Sequence, residues 1–246
     1  MGRKVSGRLS LKKPATQRPN YRSSSTRRLA VGWIMRTLKK TVGEMAEPAL
    51  GKITVEQKSN PFKILISTML SAQTRDPVTL AASRRLFKVA STPEAMERLS
   101  VHEIQRLIHP VSFYRNKARH VKATCQQLIS HFSGVVPSTM DVLLTLPGVG
   151  RKTANLVLIL AHRSLDNVCV DTHVHRIVNR LGWVRTKTPE KTEQELYRVT
   201  DRRWWSIINL YFVTWGQNVC KPVYPLCNRC TIKRMCQQVG VFRVGR

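Results

Sequence analysis

Apolar residues recur at three- and four-residue steps along most of the chain, which is typical of amphipathic helices. The clearest case starts at Trp33 and runs through Ile34, Leu38 and Val42 before Pro48 breaks the pattern. Residues 62–72 are apolar almost all round, as in a helix buried within a core. Alternating apolar and polar stretches are nearly absent. The pattern therefore predicts an all-α protein, and no internal repeat of fixed period interrupts it.

Prolines and glycines divide the next part of the chain into short helical segments. These are predicted at residues 78–89, 92–98, 101–107, 115–132 and 138–144. The longest unbroken apolar run covers only residues 156–161. A membrane span needs about 20 such residues, so no membrane-spanning helix is predicted. No signal peptide is recognisable at the start of the chain.

The charge balance points to a polyanionic partner. The chain of 246 residues has 42 Lys and Arg against 14 Asp and Glu, a net charge of +28. Residues 1–40 account for +12 of this, and the rest of the chain for +16. Such a surface attracts nucleic acids, with a ribosomal-type scaffold or an anionic membrane surface as alternatives. Residues 1–28 are predicted to form a basic disordered tail that contacts phosphate, or a targeting segment.

Residues 146–154, Leu-Pro-Gly-Val-Gly-Arg-Lys-Thr-Ala, lie between two helical runs. Pro147 is predicted to end the first helix, and Gly148 and Gly150 to form a tight turn with positive φ. The free N–H groups and dipole of the helix that opens at Gly150 form an anion site. This predicts a helix-hairpin-helix element that grips a DNA strand by its backbone. The expected DNA contacts are Gly148, Gly150, Arg151 and Thr153.

Asp171 follows a hydrophobic run, in the sequence Val170-Asp171-Thr172-His173. A buried carboxylate at such a position is costly unless it caps a helix or takes part in chemistry. Asp171 is therefore predicted either to cap a helix that starts at Thr172 or to be catalytic, and the two roles are compatible.

Six cysteines are present, and they fall into two groups. Cys125 and Cys169 lie in apolar surroundings and are predicted to be small core residues. The other four are separated by six, two and five residues near the C-terminal end: Cys220, Cys227, Cys230 and Cys236. Disulfides are the alternative for a secreted chain, but in a reducing compartment four close thiolates indicate a metal site. Zinc and iron–sulfur are both candidates, although zinc sites usually pair two short Cys-x-x-Cys units.

Residues 146–154, the segment from Val170 to His173 and the cysteine spacing together resemble the endonuclease III family of DNA glycosylase/lyases. The resemblance extends over about residues 60–236. It implies that Lys152 is the nucleophile, that Asp171 is essential and that the four cysteines bind a [4Fe–4S] cluster. A lysine amine can displace the damaged base from the sugar and remain attached as a Schiff base. It must be neutral to attack, and we expect burial and a neighbouring cation such as Arg151 to favour the neutral form.

The resemblance also implies residues that enter the base stack, because a base inside a duplex is reached only by extrusion. Gln73, in residues 70–76, matches the plug that fills the vacated position. Phe113 matches a second wedge where the family often has leucine, although it is alternatively an ordinary core aromatic. His173 is expected to contact phosphate or support Asp171, and Lys221 to contact phosphate beside the cluster. Thr68 stands where adenine glycosylases of the superfamily carry glutamate.

Two helical domains are expected, with the active site in the cleft between them. Residues 54–164 would form a six-helix barrel, and residues 29–53 with 165–246 an iron–sulfur domain. The predicted function is a bifunctional glycosylase/AP lyase of base excision repair that acts on oxidised pyrimidines in duplex DNA. We expect a monomer located with the genome, in the prokaryotic cytoplasm or in a eukaryotic nucleus or organelle. The alternatives are a damage-sensing DNA-binding protein without catalysis and a monofunctional mismatch glycosylase.

Overall fold

The computed structural model describes residues 23–45, 48–56 and 60–245, and the regular structure in these ranges is helical throughout. The all-α prediction is confirmed. No helix in these ranges is both long enough and apolar enough to cross a lipid bilayer.

The described residues form twelve α-helices, several of them short. Their bounds are α1 (Ser24–Val42), α2 (Ala49–Glu56), α3 (Pro61–Ser71), α4 (Asp76–Val89), α5 (Pro93–Arg98), α6 (Val101–Ile108), α7 (Tyr114–Phe132), α8 (Met140–Leu143), α9 (Arg151–Leu160), α10 (Thr172–Leu181), α11 (Pro189–Val199) and α12 (Trp205–Asn218). Single 3₁₀ turns cover Arg202–Trp204 and Lys233–Met235.

Local signals in the sequence start many of these helices. The Asn60 side chain accepts a hydrogen bond from the Lys63 N–H at 3.1 Å, with Pro61 in the first turn of α3. Ser100 and Glu103 form a capping box at the start of α6. Such caps satisfy N–H groups that have no partner within the helix.

Two boundaries differ from the sequence-based prediction. Helix α1 begins at Ser24, where the Ser23 hydroxyl accepts from the Thr26 N–H at 3.2 Å, so the end of the predicted 1–28 tail is helical. Residues 1–22 of that tail lie outside the described residues. Helix α8 is a single turn that ends at Leu143, so Pro147 does not terminate it as expected. The chain instead reaches the hairpin through tight turns, such as the bond from Leu146 N–H to Leu143 C=O at 3.2 Å.

The apolar side chains of the described residues form two separate cores. The first is built by α3 to α9 and includes Leu65, Ile104 and Val157. It contains the six helices α3 to α7 and α9, to which the single turn α8 adds Leu143. The predicted core residue Cys125 is fully buried here.

The second core combines α1 with α10, α11 and α12, so the start and the end of the described chain pack together. Ile34, Val178 and Trp215 are among its members. Helix α2 packs against α3 and α4 of the first core, although the sequence grouped most of it with the second. The division into two domains remains a prediction, and the packing of α2 favours a boundary before residue 49.

Candidate active site

A cleft of about 1020 Å³ lies between the two cores. The first core contributes the start of α4 and one side of α9, and the second contributes the first residues of α10 and one side of α12. Helix α2 closes a third side. The polar residues in its lining include Gln73, Asp76, Lys152, Asp171, His173 and Gln217.

Lys152 is the second residue of α9, and its side chain is exposed along the cleft. The expectation that it is buried is wrong. Arg151 is not a free cation beside it, because its guanidinium is bound to the buried Glu193 carboxylate of α11. The Arg151 Nε lies 3.1 and 3.0 Å from the two carboxylate oxygens, and Nη2 lies 2.9 Å from Oε1. This bidentate pair joins the first turn of α9 to the second core and raises the pKa of Arg151.

Asp171 caps α10 and lines the cleft at the same time. The residue is only 9% exposed. Its Oδ1 accepts hydrogen bonds from the N–H groups of His173 and Val174, both at 2.9 Å. The predicted N-cap is confirmed. Both of these bonds end on Oδ1, so they leave Oδ2 available to the cleft. Lys152 and Asp171 therefore share one cavity although they belong to different helices.

His173 is held by its neighbours on α10 and α12. Its Nδ1 accepts from Arg176 Nη2 at 3.2 Å, which assigns the ring proton to Nε2. A Cβ at Gly216 would lie 2.3 Å from that Nδ1, so only glycine fits opposite the ring. Burial lowers the pKa of His173, assisted by the Arg176 and Lys152 charges and opposed by the carboxylates of Asp171 and Asp76. The imidazole is neutral near pH 7.

The predicted hairpin turn has positive φ at one of its two glycines. Gly148 has a φ of +76°, and a Cβ there would meet the His120 ring at 2.6 Å. Gly150 has an ordinary φ of −96°, and a Cβ there would meet nothing within 4 Å. The open space that a phosphate needs therefore lies at Gly150. Thr153, another of the predicted DNA contacts, is buried in α9.

The two predicted intercalating residues, Gln73 and Phe113, are exposed and share an unusual backbone conformation. Gln73 lines the cleft with a φ of +53°, and Phe113 precedes α7 with a φ of +56°. Phe113 is 64% exposed and belongs to neither core, so it is not an ordinary core aromatic. Positive φ values are uncommon for residues other than glycine and are found preferentially at functional positions.

Asp76 and Gln217 form a polar junction in the cleft lining that the sequence analysis did not predict. Asp76 Oδ2 accepts from the Ala49 N–H at 3.0 Å and from Gln217 Nε2 at 3.2 Å. One carboxylate thus connects α2, α4 and α12. The partners are separated by up to 141 residues in the chain, so no local spacing could have indicated the contact.

Cys220, Cys227, Cys230 and Cys236 surround a second pocket with otherwise largely apolar walls. Arg180 Nη1 donates to the Cys220 sulfur at 3.4 Å, and the Gln238 N–H donates to the Cys236 sulfur at 3.3 Å. No three His, Cys, Asp or Glu side chains in the described ranges converge closely enough to bind a single metal ion. Lys221 is exposed on the loop after Cys220, away from the cleft.

An all-α fold with a hairpin, a lysine and a capping aspartate at one cleft defines a class of DNA repair protein. The family model described as HhH-GPD superfamily base excision DNA repair protein matches residues 66–202. Endonuclease III of Thermotoga maritima is 43% identical over 181 residues, which cover 74% of this chain and 84% of that protein. Endonuclease III homolog 2, chloroplastic, of Arabidopsis thaliana is 42% identical over 187 residues, covering 73% of this chain and 48% of that longer protein.

A solved structure extends the similarity to the fold. A trapped endonuclease III–DNA covalent intermediate, an estranged-adenine complex, has a TM-score of 0.74 and 31% sequence identity, over 85% of this chain and 95% of that one. The chain belongs to the endonuclease III family, the DNA glycosylase/AP lyases of base excision repair.

Proposed function

We propose that this protein removes oxidised pyrimidines from duplex DNA and then cleaves the strand through a Schiff base on Lys152. The observation that carries the proposal is the presence of Lys152 and Asp171 in the lining of one cleft. Its volume of about 1020 Å³ is ample for an extruded nucleotide. The partner is duplex DNA that contains damaged bases or abasic sites. We expect the protein to act as a monomer, in the compartment that holds the genome.

The chemistry follows from an amine nucleophile. The neutral Lys152 nitrogen forms a bond to the sugar C1′ while the glycosidic bond breaks, and the base leaves with the bonding electrons and takes up a proton. The ring oxygen then leaves C1′ with the bonding electrons and takes up a proton to become a hydroxyl, while C1′ and the Lys152 nitrogen form a protonated imine. Loss of a C2′ proton expels the 3′ phosphate and cuts the strand. Water finally hydrolyses the imine and restores Lys152.

Asp171 has two tasks in this scheme, one for each carboxylate oxygen. Oδ1 is fixed by two N–H groups at the start of α10, so the carboxylate is oriented before DNA arrives. Oδ2 is available to take a proton from the Lys152 ammonium and to stabilise positive charge on the sugar. A fixed carboxylate acts without the cost of reorganising solvent around it.

Two exposed residues extrude the base in this scheme. Gln73 enters the space that the base leaves, and Phe113 wedges into the opposite strand. The hairpin at Gly150 and the helix dipole of α9 bind the phosphates of the damaged strand. Lys221 contacts phosphate at a distance from the cleft, beside the cysteine loop.

The four C-terminal cysteines fit a [4Fe–4S] cluster. Burial raises the pKa of Cys230 to about 12 and of Cys236 to about 11, so their thiolates need a strong cationic partner. The N–H donors aimed at Cys220 and Cys236 are of the kind that stabilise iron-bound sulfur. Cys220, Cys227, Cys230 and Cys236 would hold the group, which would clamp this loop and supply redox capacity. Zinc sites usually pair two short Cys-x-x-Cys units and this loop has only one, which favours iron–sulfur over zinc.

A panel of duplex oligonucleotides tests the proposed function, with base release and strand cleavage scored separately. The panel contains an oxidised pyrimidine, 8-oxoguanine, a mismatch and an abasic site. We expect release and cleavage on the oxidised pyrimidine, and cleavage at the abasic site. Lys152→Ala should lower both rates roughly a thousandfold or more.

Lys88→Ala is the matched control, because Lys88 is an exposed lysine at the end of α4 and does not line the cleft. Base release without strand cleavage would contradict the proposal in favour of a monofunctional glycosylase. Binding without either reaction would favour a damage sensor.

A further inference from the structure

Lys117, in the first turns of α7, is a buried lysine with no evident role in the chemistry. It is 8% exposed, and its ammonium donates to Leu70 C=O at 2.7 Å, to Ala72 C=O at 2.5 Å and to Thr74 Oγ1 at 3.1 Å. No carboxylate of the described residues lies within ion-pair distance of it. Burial lowers the pKa of Lys117 to about 8. A buried ammonium is costly, so these three hydrogen bonds are what stabilises it there.

The three acceptors belong to the end of α3 and to the loop that carries Gln73. Leu70 and Ala72 lie at the C-terminal end of α3, where the last carbonyl groups have no partner within the helix. Lys117 supplies the missing donors on both sides of Ser71. Gln73 lies between two of the bonded residues, so the contacts support its left-handed backbone conformation, which glutamine adopts rarely.

The lysine side chain starts from the first turn of α7, directly after the loop that carries Phe113. The main-chain N–H of Lys117 donates to Phe113 C=O at 3.0 Å, so Phe113 is joined to that first turn. The Ser112 N–H donates to Thr74 Oγ1 at 3.3 Å. Thr74 thus accepts from Ser112 and from Lys117, so the two loops are joined directly as well as through the lysine.

We propose that Lys117 is a positioning residue that holds Gln73 and Phe113 at a fixed separation, so that both can enter the DNA stack together. The proposal rests on the proposed function, in which these two residues open the duplex. It assigns Lys117 no contact with the sugar or the base.

A fixed separation matters because the two side chains come from different segments of the chain. If the two loops moved independently, the free energy gained when Phe113 enters one strand would not help to keep the damaged base out of the other strand. Joining both loops to the buried end of α7 reduces the ordering that DNA binding would otherwise require.

The test compares Lys117→Met with Lys122→Met, the same substitution five residues later on α7. Lys122 is a partly buried lysine of the same helix that pairs with Glu97 of α5 at 3.0 Å and bonds neither loop. Duplexes carry 2-aminopurine beside an oxidised pyrimidine, and its fluorescence reports local opening on binding. Single-turnover base release and cleavage of a preformed abasic site are measured in parallel, and thermal unfolding confirms that each variant is folded.

For Lys117→Met we expect a loss of most of the fluorescence rise and about a tenfold slower base release. Cleavage at the abasic site should change by less than about threefold, because no base has to be drawn out of the stack. Lys122→Met should leave all three measurements unchanged. If Lys117→Met does not fold, Thr74→Ala, which removes the shared hydroxyl, should give a smaller change of the same kind.

Equal losses in base release and abasic-site cleavage, or unchanged fluorescence, would overturn the proposal. The fluorescence measurement needs no chemistry, so it decides the role of Lys117 even if the wild-type protein proves inactive. A wild-type protein that opens DNA without releasing bases would contradict the proposed function and leave the role of Lys117 intact.

Discussion

At the scale of single residues, Asp171 carries the most information because its two oxygens have different surroundings. Oδ1 accepts two N–H groups of α10, whereas Oδ2 takes part in neither bond, and Asp171 lines the same cleft as Lys152. A structural role and a catalytic role can therefore be separated by substitution. Asparagine keeps an oxygen at the cap and loses the charge, whereas alanine loses both.

We expect Asp171→Asn to fold with nearly wild-type stability and to lose activity by about a hundredfold or more, because the proton acceptor is gone. Asp171→Ala should lose similar activity and a further ~1 kcal/mol of unfolding free energy with the cap. Single-turnover strand cleavage and chemical denaturation measure the two effects. Activity retained in Asp171→Asn would limit Asp171 to its capping role.

His173 provides a residue-scale prediction of pH dependence. Burial lowers its pKa from the ordinary value of 6.5, so the unfolded chain takes up a proton more readily than the folded one. The stability that this group contributes is complete above pH 6.5 and is lost as the pH falls toward the folded-state pKa. Between pH 7.5 and 5.5, wild-type melting temperature should fall more steeply than that of His173→Asn. Parallel curves would show that the His173 pKa is not lowered.

At the scale of elements, the close approach of α10 and α12 sets the position of His173. A Cβ at Gly216 would lie 2.3 Å from His173 Nδ1 and 2.9 Å from Arg176 Nη2, so a larger residue there would displace these two side chains. Arg176 in turn donates to Cys220 C=O at 2.8 Å. The contact thus connects the cleft to the start of the cysteine loop.

Gly216→Ala should lower the free energy of unfolding by about 1–3 kcal/mol, because a side chain is forced into a packed contact. It should also displace His173, which a shift of the imidazole NMR signals would reveal. Gly43→Ala is the control, because a Cβ there meets only Lys39 C=O, at 4.0 Å. Equal stability of the two variants would contradict the packing described for α10 and α12.

Elements with local signals could be predicted from the sequence, and contacts between distant segments could not. Pro61 and Asn60 mark the start of α3, and the hairpin before Lys152 is visible in nine consecutive residues. The pair of Arg151 with Glu193 joins residues 42 apart. The three bonds of Lys117 span 43 to 47 residues. In the sequence, no local pattern pairs Arg151 with Glu193 or Lys117 with its acceptors. These partners come close only when the helices pack.

At the scale of the whole molecule, two cores place the cleft and the cysteine pocket in one framework. The chain leaves the first core after α9 and enters the second at residues 168–170, immediately before Asp171. Lys152 therefore lies in a helix of the first core, and Asp171 caps a helix of the second. The net charge of +28 draws DNA to this framework without regard to sequence.

The cysteine pocket makes a prediction for the whole protein. The purified protein should absorb at about 400 nm and contain iron, as expected for a cysteine-bound [4Fe–4S] cluster. Cys227→Ser should lose much of this absorbance and lower the melting temperature, because the loop loses its clamp. Cys125→Ala should keep the absorbance, since Cys125 is buried in the first core. Zinc without iron in metal analysis would contradict the assignment.

The most direct test of the central claim is to identify the residue that becomes covalently attached to DNA. The wild-type protein is mixed with a duplex that contains an abasic site, reduced with borohydride, digested and mapped by mass spectrometry. We expect a single adduct on the Lys152 side chain and no adduct in Lys152→Ala. An adduct on another amine, or strand cleavage with no adduct, would contradict it.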